Sequence, residues 1–233
     1  MNVDTALVAA LTETVLPQGI GIAARDPAVL IETGHTAERG AVKNAVPRRV
    51  AEFHAGRAAA RAAMVRLSLS PRPVPMGLDR APVWPDGITG SISHCKTACV
   101  AAVGLRRDWA GMGLDLEEAT PLESSLLSEI CTEAEQRWLG TQPEAERGIL
   151  AKLIFSAKEA TYKAQYPITK RLFGFHTLEI TLDRDATRFE ARFSRDEGVF
   201  REGSLLSGAY VYAAGLLVTG MALGHSAPDG EGS

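Results

Sequence analysis

In the run FSAKEATYKA, Phe155–Ala164, one carboxylate and two ammonium groups sit among aromatic and small apolar residues. On a helix Phe155, Glu159 and Lys163 recur at intervals of four and share a face, with Lys158 beside them. That mixture suits a site for a metal and an anion. A surface helix with one Glu-to-Lys pair, worth a few tenths of a kcal/mol, is the plainer alternative. GLDLEE sets Asp115 and Glu117 two residues apart, so on a strand both project from one face and Leu114 and Leu116 from the other. Two carboxylates at a strand end can hold a hard divalent cation such as magnesium, which also takes waters and substrate phosphates. The competing reading is a polar-out strand entering an acidic loop, since Glu118 extends the run. Arg49 and Arg57 lie eight residues apart, which on a helix is roughly 12 Å of rise and about 80° of rotation. Both side chains could close on one phosphate cluster. Snorkelling from a core-facing helix is the alternative, but Arg57 interrupts the apolar stripe without an acidic residue at i±4.

These groups need elements to position them. Pro47 fits the first turn of a helix, and Val50, Phe53, Ala60, Met64 and Leu67 continue it at helical period. SPRPVPMGLDRAPVWPDG is an irregular connector that carries Arg80 as a lone cation. GSISHCKTACVAAVG leads into a strand over about 97–103, and WAGMGLDLEE reads as the returning strand. A hairpin centred near Arg107 would set Asp115 opposite Cys99 and Glu117 opposite Thr97, with Ser93 and His94 at the same end. PLESSLLSEICTEAEQRWL predicts a second amphipathic helix with Leu126, Leu127, Ile130, Ala134 and Leu139 inward. The Glu159 helix is expected from Gly148 to about Tyr166, closed by Pro167. FGFHTLEITLD, TRFEARFS and GAYVYAAGLLVTGMAL then read as strands of an antiparallel sheet.

Before Pro47, short apolar pieces such as ALVAAL and VLIE alternate with polar residues. LPQGIGIAARD reads as a strand after a turn and HTAERGAVKNAVP as an exposed loop. The order predicts an α+β protein of two halves. Residues 1–118 form the N-terminal half, 119–225 the C-terminal half, and 226–233 a disordered tail.

The 233 residues suffice for one large domain or two modest ones with ample core. An apolar fraction of 45% and a charged fraction of 23% are those of an ordinary globular protein. A net charge of −3 provides no global field for nucleic acid or anionic membrane, so any anion binding must be local. Cys95, Cys99 and Cys131 lack metal-site spacing and suit reduced thiols in a cytoplasmic protein. No apolar run approaches the roughly 20 residues of a membrane span, and the N-terminus has no secretory pattern. No Gly-rich P-loop or kinase signature supports a different phosphotransferase.

RRxxEFxxGR, PxWPDGxxGSxxHC, GxDxE and FxAKEATYKA, followed by PITKRLFGF, occur in that order over about residues 48–175. Together they resemble the Sfp-type 4′-phosphopantetheinyl transferases, nearest the branch of enterobactin synthase component D and its actinobacterial relatives. The resemblance implies a pseudo-dimer of two similar α+β halves, with the active site in the cleft between them. It implies transfer of the phosphopantetheine arm of coenzyme A to a serine of an apo acyl, aryl or peptidyl carrier protein, releasing adenosine 3′,5′-bisphosphate. Carriers of siderophore, non-ribosomal peptide or polyketide synthesis are the expected partners, and a monomer is expected.

Position by position, the resemblance makes Asp115, Glu117 and Glu159 ligands of magnesium, for which manganese can substitute. Glu159 is also the candidate base for the carrier serine, in competition with a metal-bound water. Lys158 and Lys163 fall near the pyrophosphate, Arg49 and Arg57 at the 3′-phosphate, and Ser93 and His94 at the nucleotide and phosphates. Relatives often have Lys before PxWP, whereas this chain has Asp79-Arg80, so Arg80 is the substitute. A catalytically silent coenzyme A or carrier-binding module is the alternative function.

Overall fold

The computed structural model describes residues 4–29 and 35–225. The glycine-rich tail and most of the VLIE piece lie outside them. Among the described residues the strands form two antiparallel sheets. β1 (Gly21–Arg25), β2 (Ile88–His94) and β3 (Cys99–Leu105) make one, in the order β1-β3-β2. β4 (Gly111–Glu118), β5 (Leu178–Asp183), β6 (Arg188–Phe193), β7 (Leu205–Ala213) and β8 (Leu216–Leu223) make the other, in the order β4-β8-β7-β6-β5.

α1 (Thr5–Thr14) precedes β1 and starts on Asp4, whose side chain caps it. The segment expected as an exposed loop holds a short helix, α2 (Thr36–Arg39). Its Glu38 is fully buried, accepting from Arg61 at 2.6 and 2.7 Å and from the Val74 N–H at 2.8 Å. No local pattern announces a buried acid whose partners are 23 and 36 residues away. α3 (Pro47–Arg66) begins at Pro47 as expected. It lays Ala59, Ala60, Ala63 and Met64 on Ala23, Ala101 and Val103 of the first sheet.

The expected hairpin of β3 with β4 does not form. Both edges of β3 are taken, by β1 and by β2, the strand spanning GSISH. β4 pairs instead with β8, so that Asp115 lies opposite Thr219 and Glu117 opposite Leu217. Sheet membership therefore changes between β3 and β4 rather than near residue 118. β4 meets β2 through side chains: the Ser91 and Ser93 hydroxyls accept the N–H groups of Leu114 and Leu116 at 3.0 and 3.1 Å. These bonds satisfy edge donors that would otherwise be buried without partners. Apolar residues of both sheets, among them Val100, Ala102, Leu114, Leu116 and Val218, share one core beneath Val8 of α1.

The expected amphipathic helix after β4 is broken into α4 (Leu127–Ile130) and α5 (Glu133–Thr141). Thr132 and Glu135 make a reciprocal capping box that starts a new helix there, and Leu126 is left exposed. α6 (Glu144–Thr169) continues past Pro167 and ends on Lys170, whose φ is 56°. Proline is accommodated near the end of this helix, whereas the expected stop would have placed it outside.

α6 lies on β4 with matched repeats. Four helical residues rise about 6 Å, close to the rise of two strand residues. A Cβ on Gly111 would fall 2.0 Å from Ala164 O, and one on Gly113 1.7 Å from Ala160 O. Continuing the series, Ser156 meets Asp115 and Lys152 meets Glu117. The glycines admit the helix at one end of β4, and the carboxylates meet it at the other. No helix among the described residues is long and apolar enough to cross a membrane.

Candidate functional site

β4 delivers Asp115 into a buried polar cluster, 4% exposed. Its Oδ1 accepts from Ser93 Oγ at 3.0 Å and from Lys163 Nζ at 2.6 Å, and its Oδ2 accepts from Ser156 Oγ at 2.9 Å. The donors come from β2 and α6, so Asp115 is where both sheets and the long helix meet. Glu117, two residues on, is half-buried and accepts from Lys152 Nζ at 3.1 Å. Glu159 is on α6, one turn from Lys163.

The electrostatics of the three acids are coupled. Burial raises the Glu117 pKa, and the Asp115 charge raises it further against the pull of Lys152. Burial also raises Glu159, with Asp115 and Glu117 adding to the shift and Lys163 opposing it. Burial opposes the charge on Lys163, but Asp115 and Glu159 outweigh it and hold its pKa above the usual lysine value. Among the described residues no three His, Cys, Asp or Glu side chains converge into a metal-holding cluster. The acids are near enough to feel one another, and ammonium groups occupy two of them.

Beside Asp115 opens a cavity of about 270 Å³. Arg49, Arg57, Arg80, Ser93, His94 and Lys163 line it with Asp115, so seven of the sequence-predicted residues share one space. α3 brings the two arginines, as their spacing requires. Arg49 NH1 lies 2.8 Å from His94 Nε2, which makes Nε2 the acceptor and puts the ring proton on Nδ1. Glu52 Oε2 faces that nitrogen at 3.8 Å. Arg57 is 6% exposed, donates from Nε to Val74 O at 2.6 Å, and stacks 4.4 Å from the Phe53 ring centroid. Burial draws its pKa down to about 10, so it stays cationic at neutral pH. A second cavity, of about 500 Å³, adjoins through Arg80, Pro82, Ile92 and Lys163 and is walled by Trp84, Tyr162 and Tyr166.

Lys158 departs from expectation. Its side chain is 1% exposed and Nζ donates to Glu135 Oε2 at 2.7 Å and to Ile130 O at 2.8 Å. Glu135 also accepts the Thr132 and Ile180 N–H groups. This buried ion pair joins α5, α6 and β5 and holds Lys158 away from the cavity beside Asp115. Glu159, its neighbour, feels the charges of Asp115 and Glu117 but lines a separate small cavity of about 100 Å³ with Tyr162 and Phe175.

Sequence reasoning passed over Ser156, Lys152 and Glu52, each of which contacts a candidate site residue. A signal for the first two was present: residues 152, 156, 160 and 164 form one row of α6, with small residues where it faces glycines. Glu52 stands within the RRxxEF motif, one turn from Arg48, with which it pairs at 2.8 Å.

Residues 37–104 match the family model described as the 4′-phosphopantetheinyl transferase N-terminal domain, and residues 111–214 that of the 4′-phosphopantetheinyl transferase superfamily. The change from one match to the other falls between β3 and β4, where sheet membership changes. The chain is similar to 4′-phosphopantetheinyl transferase Svp of Streptomyces mobaraensis, at 37% identity over 84% of this chain and 81% of the relative. It is similar to 4′-phosphopantetheinyl transferase PptT of Mycobacterium tuberculosis, at 38% identity over 72% of each chain. Enterobactin synthase component D of Salmonella typhimurium is 35% identical over 60% of this chain and 58% of its own length.

Proposed function

We propose, for a chain that belongs to the 4′-phosphopantetheinyl transferase superfamily, that its donor is coenzyme A and its acceptor a serine of an apo acyl, aryl or peptidyl carrier protein. One observation carries the reading. Arg49, Arg57, Arg80, His94 and Lys163 surround a single cavity whose wall includes Asp115. A molecule with several phosphates at one end, and a reacting phosphorus near the carboxylates, suits that distribution of charge.

In this reading Arg49, Arg57, Arg80 and His94 receive the 3′-phosphate and nucleotide, and Lys163 receives the pyrophosphate. Positively charged donors placed before reaction stabilise charge that develops on the phosphate oxygens. The serine oxygen forms a bond to the β-phosphorus as the pyrophosphate P–O bond breaks. Adenosine 3′,5′-bisphosphate leaves with the electron pair, and the serine proton passes to Glu159 or to a water that it orients. With no cation bound, burial and the charges of Asp115 and Glu117 raise the Glu159 pKa; a cation on Glu159 would lower it, which favours the oriented water as the base.

Asp115, Glu117 and Glu159 supply hard oxygen donors, and their mutual repulsion favours a cation among them. These carboxylates do not converge in the structure described, so magnesium, or manganese in its place, would have to draw the three together to be held by them, and would then neutralise pyrophosphate charge. Lys152 and Lys163 supply the countercharge to Glu117 and Asp115 in the structure described. Carriers of siderophore, non-ribosomal peptide or polyketide synthesis are the substrates we favour.

Incubating the chain with magnesium, coenzyme A and purified apo carriers, then weighing each carrier, tests the reading. A gain of one phosphopantetheine arm is expected on at least one carrier. An unchanged mass on every carrier despite coenzyme A binding would favour a silent binding module instead. A panel of carriers also identifies the pathway.

A further inference from the structure

The connector between α3 and β2 contains a tight hairpin whose tip reaches α6. The Val83 N–H donates to Pro75 O at 2.9 Å, Gly77 N–H to Ala81 O at 2.8 Å and Arg80 N–H to Gly77 O at 3.0 Å. Met76 and Pro82 form an antiparallel bridge below them. Arg80 closes the turn with φ at 64°, in the left-handed region that L side chains rarely adopt. Leu78 at the tip is wholly exposed, so burial of its side chain does not anchor the turn.

Asp79 secures the tip at both of its oxygens. Oδ1 accepts the Ala81 N–H at 3.0 Å, and Oδ2 accepts the Tyr166 hydroxyl at 2.6 Å. A hydroxyl-to-carboxylate bond of that length is charge-assisted. Tyr166 is itself held, by stacking on Tyr162 at 6.0 Å between centroids and by the Lys170 ammonium 5.0 Å from its own centroid. Asp79, Arg80 and Tyr166 together line the larger cavity, and Arg80 also lines the smaller one.

We propose that Asp79 and Tyr166 are positioning residues for Arg80. Their bond clamps the connector tip to α6 and holds the Arg80 guanidinium over the junction of the two cavities, where it meets the phosphates of the donor. The inference rests on the reading of those cavities as the coenzyme A site. It gives the Asp79-Arg80 pair a joint role: the acid fixes the turn and the cation faces the ligand. The hydrogen bond holds the Asp79 carboxyl below its usual range and pushes the Tyr166 hydroxyl up to about 12. Both groups therefore keep the protonation states the bond needs across ordinary working pH.

The test is calorimetric titration of coenzyme A into the full chain and three variants: Tyr166→Phe, Arg80→Gly and the double. Glycine keeps the left-handed turn while removing the guanidinium. Tyr166→Phe removes only the hydroxyl and is expected to weaken binding about fivefold, a coupling typical of neighbours that act together. The double variant is expected to bind no worse than Arg80→Gly alone. In steady-state assays Tyr166→Phe should raise KM for coenzyme A and leave kcat within about twofold. Asp79→Asn, which keeps an acceptor, should be milder than Asp79→Ala. Additive losses in the double variant, or unchanged binding in Tyr166→Phe, would overturn the clamp alone. Failure of the unaltered chain to bind coenzyme A would overturn the reading of the cavities and the clamp with it.

Discussion

Lys158 and Lys163 stand five residues apart on α6, so their side chains leave the helix about 140° apart. Lys158 enters the core of the C-terminal half, where Glu135 and the Ile130 carbonyl enclose its ammonium. Lys163 enters the junction of the two sheets and reaches Asp115, Ser93 and the Leu114 carbonyl. Both belong to one short motif and both are ion-paired, yet Lys163 lines the two adjoining cavities of about 270 and 500 Å³, whereas Lys158 lines a separate one of about 100 Å³ with Glu159. Burial pulls Lys158 below the usual lysine value, with Glu135 opposing, whereas the acids around Lys163 outweigh its burial. Charge in a motif thus divides into a part enclosed between helices and a part that lines the cavities beside Asp115.

Removing the enclosed charge should affect the protein most. Lys158→Met strands the Glu135 carboxylate and should cost about 3–5 kcal/mol of stability, measured by chemical denaturation. Glu135→Gln added to it should recover much of the loss, because the uncompensated charge is then gone. Lys163→Met should instead lower the transfer rate about 10²–10³-fold with a smaller loss of stability, because Ser93 and Ser156 still donate to Asp115. Similar stability losses for the two substitutions would erase the distinction.

Glu159→Gln sharpens the same contrast from the acid side. It should reduce transfer about 10²-fold or more with coenzyme A affinity within about tenfold, and near-normal turnover would remove Glu159 from the chemistry. Gly113→Ala probes the docking of α6 itself. The added Cβ meets the Ala160 carbonyl at 1.7 Å, and overpacking against backbone should cost about 2–3 kcal/mol in denaturation.

The smallest effect concerns His94. Burial, with Arg49 and Lys163, holds its pKa below the ordinary 6.5, and Glu52 and Asp115 offset this in part. The folded protein therefore takes up this proton at lower pH than the unfolded chain. Its contribution to stability is full above pH 6.5 and is lost as pH falls from there through the folded value. Melting curves between pH 7.5 and 5.5 should show a slope that His94→Gln flattens.

Sequence spacing carried much of the candidate site because its residues repeat with the period of their own element. Arg49 and Arg57 share a side of α3, and Asp115 and Glu117 share a face of β4, whatever lies opposite. The turn of Ala214 and Gly215, both at positive φ, was less legible, and GAYVYAAGLLVTGMAL therefore became two strands rather than one. The break between α4 and α5 was written in Thr132 and Glu135, a capping signal that the apolar pattern masked.

By itself, then, the chain determined which residues could share a face, where α3 begins, and that acids and cations occur at spacings fit for phosphate chemistry. Local sterics and helical or strand period are enough for that. Only the tertiary structure decided that β4 pairs with β8, that Ser91 and Ser93 join it to β2, and that Lys158 meets Glu135. Strand edges compete for partners across the whole molecule. A charge becomes structural or available according to what lies opposite it, 23 residues away for Lys158 and 48 for Lys163.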